Sequence, residues 1–318
     1  MWRQIFRDNI TSLSSLCTLL ELSPDQISQL DSNSHFPLNI PRRIVNKMEK
    51  GSITDPLFRQ FVPLKEERSY SKDFFADPVS DTSFIKTPSL LKKYQSRALV
   101  VTCGTCAMHC RYCFRKNFSY LAENKTFEKE IEYITSHKEI DEVILSGGDP
   151  LSLSNRVLGN LFRSLEEIPH VTRIRFHTRF PIGIPERIDE DFLEILKTSS
   201  KKIWFLIHSN HPKEFDKDIW DALEKIQKIG IPVLNQAVLL SGINDTIEVL
   251  QKHCLELSNH GIVPYYLFQL DRVQGSQHFE VPVEKGKELM NTLIELLPGY
   301  AVPKYAQEIP HRKSKTLL

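Results

Sequence analysis

Hydrophobic spacing divides the chain near residue 88. Before it, Trp2, Ile5, Phe6 and Ile10, then Leu13, Leu16, Leu19 and Leu20, recur at the interval of an amphipathic helix, which predicts two short helices. Ser23-Pro24-Asp25 has the composition of a helix start and predicts a third. Residues 41–51 predict a fourth, closed by Gly51. From Ser52 to about Pro88 there is no steady period, and Pro56, Pro63, Pro78 and Pro88 punctuate what should be irregular chain. Short helices gain most of their stability from packing an apolar face. Residues 1–88 are therefore expected to form a helical lead-in that leans on a larger domain.

From Ser89 the rhythm changes. Short β-rich runs are predicted at 97–102, 142–145, 173–177, 203–207, 233–238 and 264–269. Helical patterns lie between and after them, at 127–137, 157–168, 191–197, 217–229, 247–258 and 284–297. In the second, Val157, Leu158, Leu161, Phe162, Leu165 and Ile168 share one face, as in a helix covering a sheet. Six β–α units in succession predict an α/β fold, a partial (β/α)6 barrel over residues 89–297, followed by a tail at 298–318. Chemistry in such barrels sits at the carboxyl ends of the strands. There the chain places Ser146-Gly147-Gly148-Asp149, His177, Arg179, His208, Asn210, Asn235, Gln236 and Asp271. One polar residue at a strand end is ordinary loop chemistry, but these five strand ends, together with the cysteines that follow the first strand, make a cup.

Charge changes little in this picture. The 318 residues carry a net charge of +1, which gives no argument for a nucleic-acid or membrane partner. No apolar run is long enough to span a bilayer, and the first residues lack the apolar block of a secretory signal. Six cysteines, three of them bunched, do not resemble a secreted disulfide framework, so a reducing, cytoplasmic setting is expected.

The bunched cysteines bring the chemistry. Cys106, Cys110 and Cys113 are spaced by three and then two residues, directly after the first predicted strand. Three thiolates are one fewer than a closed structural site uses, and a cubane iron–sulfur cluster held by three keeps one iron open. Tyr112 and Phe114 would shield such a centre. A tetrahedral zinc site completed by His109 is the alternative, although zinc sites usually use two separated cysteine pairs. Cys103 suits an ordinary thiol at a strand end. Cys17 and Cys254 stand alone and suggest no chemistry.

The cysteine triplet, the 146–149 turn, the Asn235-Gln-Ala-Val-Leu-Leu240 run and the Pro264-Tyr-Tyr-Leu-Phe-Gln-Leu-Asp271 stretch resemble the lysine 2,3-aminomutase family of radical S-adenosylmethionine (SAM) enzymes. The likeness extends to the lead-in, at residues 41–51 and 55–60, and to the tail, at 299–309 and 314–316. It points to the short bacterial branch that makes β-lysine for modification of translation elongation factor P. The resemblance implies a barrel of the radical SAM type with a [4Fe-4S] cluster on Cys106, Cys110 and Cys113, whose open iron binds SAM. Ser146, Gly147, Gly148, Asp149, His208 and Gln236 match residues that hold SAM. Lys315 matches the lysine that binds pyridoxal 5′-phosphate covalently, and Lys93, Tyr94 and Arg97 match its phosphate site. Arg115 matches the grip on the carboxylate of L-lysine, and Asp271 the residue facing its side-chain ammonium.

The implied reaction is an isomerisation of L-lysine to β-lysine. It calls for an electron donor and links to elongation factor P indirectly, through a β-lysine ligase; a homo-oligomer is compatible with it. The residue types suit these roles. A planar guanidinium grips a carboxylate through two parallel hydrogen bonds, and a buried lysine amine loses its proton readily. By composition alone Lys315 belongs to a solvated basic tail, with Lys313 as a near neighbour; the match through Glu308-Ile309 sets the register on Lys315. Two departures from the larger clostridial type stand out. Pro310-His-Arg-Lys-Ser314 replaces a glycine-rich run, predicting a stiffer, more basic loop, and Glu308 replaces a second aspartate. The competing readings are an aminomutase for another amino acid such as glutamate, which Asp271 would repel, and a non-catalytic, metal-stabilised binding paralogue.

Overall fold

In a computed structural model, which describes residues 1–120, 126–310 and 312–318, the chain is built on one ten-stranded sheet whose strands follow sequence order. They are β1 (Ile85–Thr87), β2 (Leu90–Leu91), β3 (Arg97–Val101), β4 (Glu142–Ser146), β5 (Arg173–Thr178), β6 (Lys202–His208), β7 (Val233–Val238), β8 (Val263–Phe268), β9 (Lys304–Gln307) and β10 (Thr316–Leu317). From β3 to β9 every neighbouring pair is parallel, whereas β1, β2 and β10 add antiparallel pairs at the two edges. All six predicted strands are present. The seventh parallel strand, β9, is four residues long, and its Lys-Tyr-Ala-Gln sequence carries too little apolar alternation to signal a strand.

Alternation within β5 separates the two faces of the sheet. Ile174, Phe176 and Thr178 are buried, while Arg173, Arg175 and His177 are only half-buried. Phe162 and Phe192, from helices Asn155–Glu166 and Glu190–Lys197, pack on Phe176 with ring centroids 5.8 and 5.9 Å away. The helical layer thus covers the even positions and leaves the odd ones facing the cup. Serine and aspartate caps start three of these helices: Ser154 accepts from Val157 N–H, Asp189 from Phe192 N–H and Asp216 from Ile219 N–H. Helices at Glu128–Ser136, Lys217–Lys228, Ile247–Asn259 and Val283–Leu296 complete the expected set.

The lead-in does not form a core of its own. Trp2, Leu16, Ile40, Leu57, Phe58 and Phe61 belong to the same buried cluster as Val143, Phe176 and Phe205 of the barrel. Trp2 meets Phe180, just past β5, edge to face at 5.5 Å. The first three expected helices are found at Trp2–Arg7, Leu13–Leu19 and Pro24–Ser28, the last with a full capping box between Ser23 and Gln26.

Two segments depart from the sequence reading. The helix expected over 41–51 is one turn, Arg42–Val45, after which tight turns bring Lys47 Nζ to Asp216, 2.7 Å away. The stretch expected to be irregular contains a helix at Pro56–Phe61, started by the Asp55 carboxylate, which accepts from Leu57 and Phe58 N–H. Among the described residues no helix is long and apolar enough to cross a membrane.

A shared core predicts a shared transition. Truncation of the fully buried Phe58 to alanine is expected to lower unfolding stability by about 3–5 kcal/mol. Denaturant curves followed by tryptophan fluorescence and by circular dichroism should stay coincident; two separated transitions would mean that lead-in and barrel fold independently.

Candidate active site

The cysteine loop leaves β3 and is laced to the turn after β4 by backbone hydrogen bonds. Gly148 N–H donates to Cys103 O at 2.7 Å and Asp149 N–H to Thr105 O at 2.8 Å. Glycine is required here because a Cβ on residue 148 would lie 2.5 Å from Thr105 O, and Gly147 has φ +107°. The loop presents Cys106, Cys110 and Cys113 as free, partly exposed thiols. They feel one another: Cys113 is pushed up to about 11 by burial and then by Cys110, and Cys106 is raised by burial, then by Cys113 and Asp149. Cys103 points elsewhere, with Sγ 3.0 Å from Ser152 Oγ and 3.3 Å from Asp149 O. His109 is also turned away, stacked on Phe36 and bonded through Nδ1 to Pro37 O. Among the described residues no three His, Cys, Asp or Glu side chains stand close enough to hold a single metal ion; a cubane asks something different, that each thiolate reach its own iron.

Three arginines frame this loop, and each is neutralised from the lead-in or from the loop after β6. Arg111, 1% exposed, makes two parallel bonds to Glu67, Nε to Oε1 at 2.8 Å and Nη2 to Oε2 at 2.7 Å. Arg179, at the end of β5, donates to Cys110 Sγ at 3.0 Å, to Gln60 Oε1 at 2.8 Å, to Glu214 Oε2 at 2.7 Å and to the Tyr112 hydroxyl. Asn210 Nδ2 joins the same network through Gln60 and Tyr112. Burial works to raise the Glu214 carboxyl, but the Arg179 charge and the Asn210 N–H hold it below its usual range. Arg115 donates from Nε to Asp81 Oδ2 at 2.7 Å and from Nη1 to Ser146 Oγ at 3.4 Å. The sequence reading named Arg115, Arg179 and Asn210 but missed Gln60, Glu67, Asp81 and Glu214.

Of the residues matched to SAM binding, His208 and Gln236 are direct neighbours across β6 and β7. His177 stands beside them, its ring 5.6 Å from that of His208. The Nε2 atoms of both histidines are buried and have no hydrogen-bond partner among the described residues. Burial, and then Arg179 and Arg115, push His208 down to about 3, so it faces the cup neutral. Asp149 is otherwise engaged. Its carboxylate accepts from Thr178 Oγ1 and Arg179 N–H, each at 2.7 Å, and from Leu151 N–H, which makes it the pin of the turn.

At the far side of the cup the tail folds back. β10 pairs with β9 in the register Thr316↔Gln307, which carries Lys315 onto Glu308, Nζ to Oε1 at 2.9 Å. Lys315 also donates to the Tyr94 hydroxyl at 3.1 Å and lies 5.2 to 5.8 Å from the ring centroids of Tyr94, Tyr266 and Phe268. Glu308 takes Lys93 on its other oxygen at 2.7 Å, and the Arg97 guanidinium stacks 4.0 Å from the Tyr94 ring centroid. Lys315, Lys93, Tyr94 and Arg97 therefore lie close together, while Lys313 is exposed. His311, in the loop expected to be stiff, lies outside the described residues. Burial, then Glu308 and Asp81, push the Asp271 carboxyl up to about 7.

A parallel α/β sheet with a three-cysteine loop at the carboxyl end of its first parallel strand defines a radical SAM enzyme, and residues 100–253 match the Radical SAM superfamily. The fold is similar to that of a radical SAM methyltransferase from Sphaerobacter thermophilus, with TM-score 0.51 and 16% identity over 68% of each chain. Over its whole length the chain is 39% identical to an L-lysine 2,3-aminomutase of Escherichia coli, covering 94% of that protein. It is 38% identical to one of Haemophilus influenzae, over 99% of this chain and 95% of that one. The chain belongs to the lysine 2,3-aminomutase family and is an isomerase of the radical SAM class. The family implies a [4Fe-4S] cluster and SAM, and the free triplet, with Cys103 and His109 turned aside, fits the cluster.

Two tests follow from this geometry. Gly148→Ala should prise the cysteine loop off the β4 turn and lower the iron bound after anaerobic reconstitution several-fold; full iron content would show that the close approach is dispensable. The folded chain holds a proton on Asp271 between roughly pH 4, the usual aspartate value, and about 7, where the unfolded chain has lost it. Stability from this group is thus full below pH 4 and is lost as pH rises through 7. Asp271→Asn should accordingly gain on wild type between pH 5 and 7.5 in denaturant titrations of the metal-free protein.

Proposed function

We propose that the protein converts L-lysine to β-lysine with pyridoxal 5′-phosphate bound at Lys315, and that a ligase passes the product to elongation factor P. The observation that carries this reading is the return of the tail, which flanks the Lys315 amine with three aromatic rings and brings its charge to bear on His177 at the end of β5. When bound, the cluster with SAM supplies hydrogen abstraction, and pyridoxal phosphate supplies the electron sink that lets nitrogen migrate.

The chain's own residues do the rest. Lys93 and Arg97 offer the phosphate two cations, and Tyr94 offers a hydroxyl. The Arg115 guanidinium holds the substrate carboxylate, and Asp271 takes the side-chain ammonium, so lysine is clamped at both ends. A cation arriving beside Asp271 favours its ionised form and releases the proton it holds near neutrality. Glu308 has a double role. It pairs with both Lys315 and Lys93, and with Lys315 holding the cofactor it would keep Lys93 and could face a second ammonium. Two carboxyls at this end disfavour an acidic side chain such as that of glutamate.

The decisive experiment is an anaerobic assay with L-lysine, SAM, pyridoxal phosphate and a reductant, followed by chiral analysis of the amino acids formed. β-Lysine is expected, and unchanged lysine with fully loaded protein would reject the reading. Borohydride reduction of the protein with pyridoxal phosphate should label Lys315; a label on Lys313 would put the register wrong.

A further inference from the structure

One segment of the lead-in touches the cup at three points: the loop carrying Asp271, then Arg115, and then Lys93. Phe75 N–H donates to Arg272 O at 2.8 Å and Gln274 N–H returns to Phe75 O at 3.0 Å, which ties the segment to the loop carrying Asp271. Six residues on, Asp81 meets Arg115. Phe84 then lies with its ring centroid 5.7 Å from Lys93 Nζ, next to the Lys315 cluster. Between these points the chain makes a built turn. The Asp77 carboxylate accepts from Asp81 N–H at 2.9 Å, from Thr82 N–H at 3.0 Å and from Thr82 Oγ1 at 2.8 Å. Ser80, just before Asp81, has φ +57°, a left-handed conformation that a serine adopts at a cost. Both features fix where the Asp81 carboxylate stands.

The way Asp81 holds Arg115 is informative. A guanidinium has five N–H donors in a rigid plane. Asp81 takes the one on Nε, and Ser146 Oγ takes one on Nη1 at long range, 3.4 Å; Nη2 makes no hydrogen bond among the described residues. The edge formed by Nη1 and Nη2 is left to bind a carboxylate through two parallel bonds, and the plane cannot turn without breaking the Asp81 contact. Asp81 is 15% exposed and Arg115 9%, so little water competes for this pair.

We propose that Asp81 is a positioning residue: it fixes the plane of Arg115 so that the free edge of the guanidinium meets the carboxylate of the amino-acid substrate. This rests on Arg115 being the carboxylate grip. Asp81 acts through Arg115 and does not touch the substrate. Loss of Asp81 leaves a mobile cation whose remaining bonds no longer define one orientation, and the effect should fall on ligands that bring a carboxylate.

The test uses the full chain, anaerobically reconstituted, with binding of L-lysine and of L-lysinamide, which lacks the carboxylate, measured by calorimetry. Asp81→Ala should weaken L-lysine about tenfold or more, the scale of one hydrogen bond to a charged group, and leave L-lysinamide within about twofold. Asp81→Asn keeps an oxygen for Nε–H and the turn, so it should fall between wild type and alanine and secures the comparison should alanine fold poorly. In kinetics KM for lysine should rise while KM for SAM and the iron content stay put. Equal losses on both ligands, no loss on either, or tighter lysine binding would overturn the proposal, the last by showing that Asp81 competes with the substrate. Arg115→Met separates the two levels. If it spares lysine binding, the carboxylate grip itself is wrong; if it abolishes binding while Asp81→Ala does not, only the role of Asp81 falls.

Discussion

Burying a charge is costly unless a partner is buried with it, and this cup buries several. Arg111, Arg115 and Arg179 are each under a tenth exposed, and all three stand at the cysteine loop or beside it. Their partners come largely from outside the barrel: Glu67 and Asp81 from the lead-in, Gln60 from its helix and Glu214 from the loop after β6. Removing one partner would strand an ion in a low-dielectric interior. The lead-in is therefore part of the site, and the first 88 residues cannot be treated as an appendage to the chemistry that follows.

The parallel ladder does the complementary work. Because β3 to β9 run in one direction, their carboxyl ends form one rim, and residues remote in sequence meet there in register: Ser146 beside Val101, His208 beside Gln236, Phe268 beside Ala306. The rim is graded. Thiols and arginine-paired carboxylates stand around the loop after β3, histidines stand at the ends of β5 and β6, and Glu308 with Lys93 and Lys315 gathers beyond β9. Such a gradient suits a substrate carrying a carboxylate and two amines.

Much of this was legible in the sequence, and the reasons are specific. Val143-Ile-Leu145 and Ile203-Trp-Phe-Leu-Ile207 announce strands because β-rich runs and flanking helical periods are local signals. The cysteine spacing is local too. What escaped was pairing at a distance. Arg111 and Glu67 are 44 residues apart, Arg179 and Gln60 are 119 apart, and Arg115 and Asp81 are 34 apart. Nothing in a glutamate or glutamine on an irregular stretch says which arginine it will meet. The short β9 was missed because four residues with one exposed lysine carry no usable period, and the position of Lys315 was legible only through the family resemblance of the tail.

The lacing of the cysteine loop to the turn after β4 involves no metal. Bonds from Gly148 and Asp149 to Cys103 and Thr105, and from Arg111 to Phe36 O and Ser34, hold the loop in shape and use none of the three thiols. The shape of the loop is thus carried by residues that the cysteine spacing does not reveal, so two chains with the same triplet can offer a cluster differently set sockets.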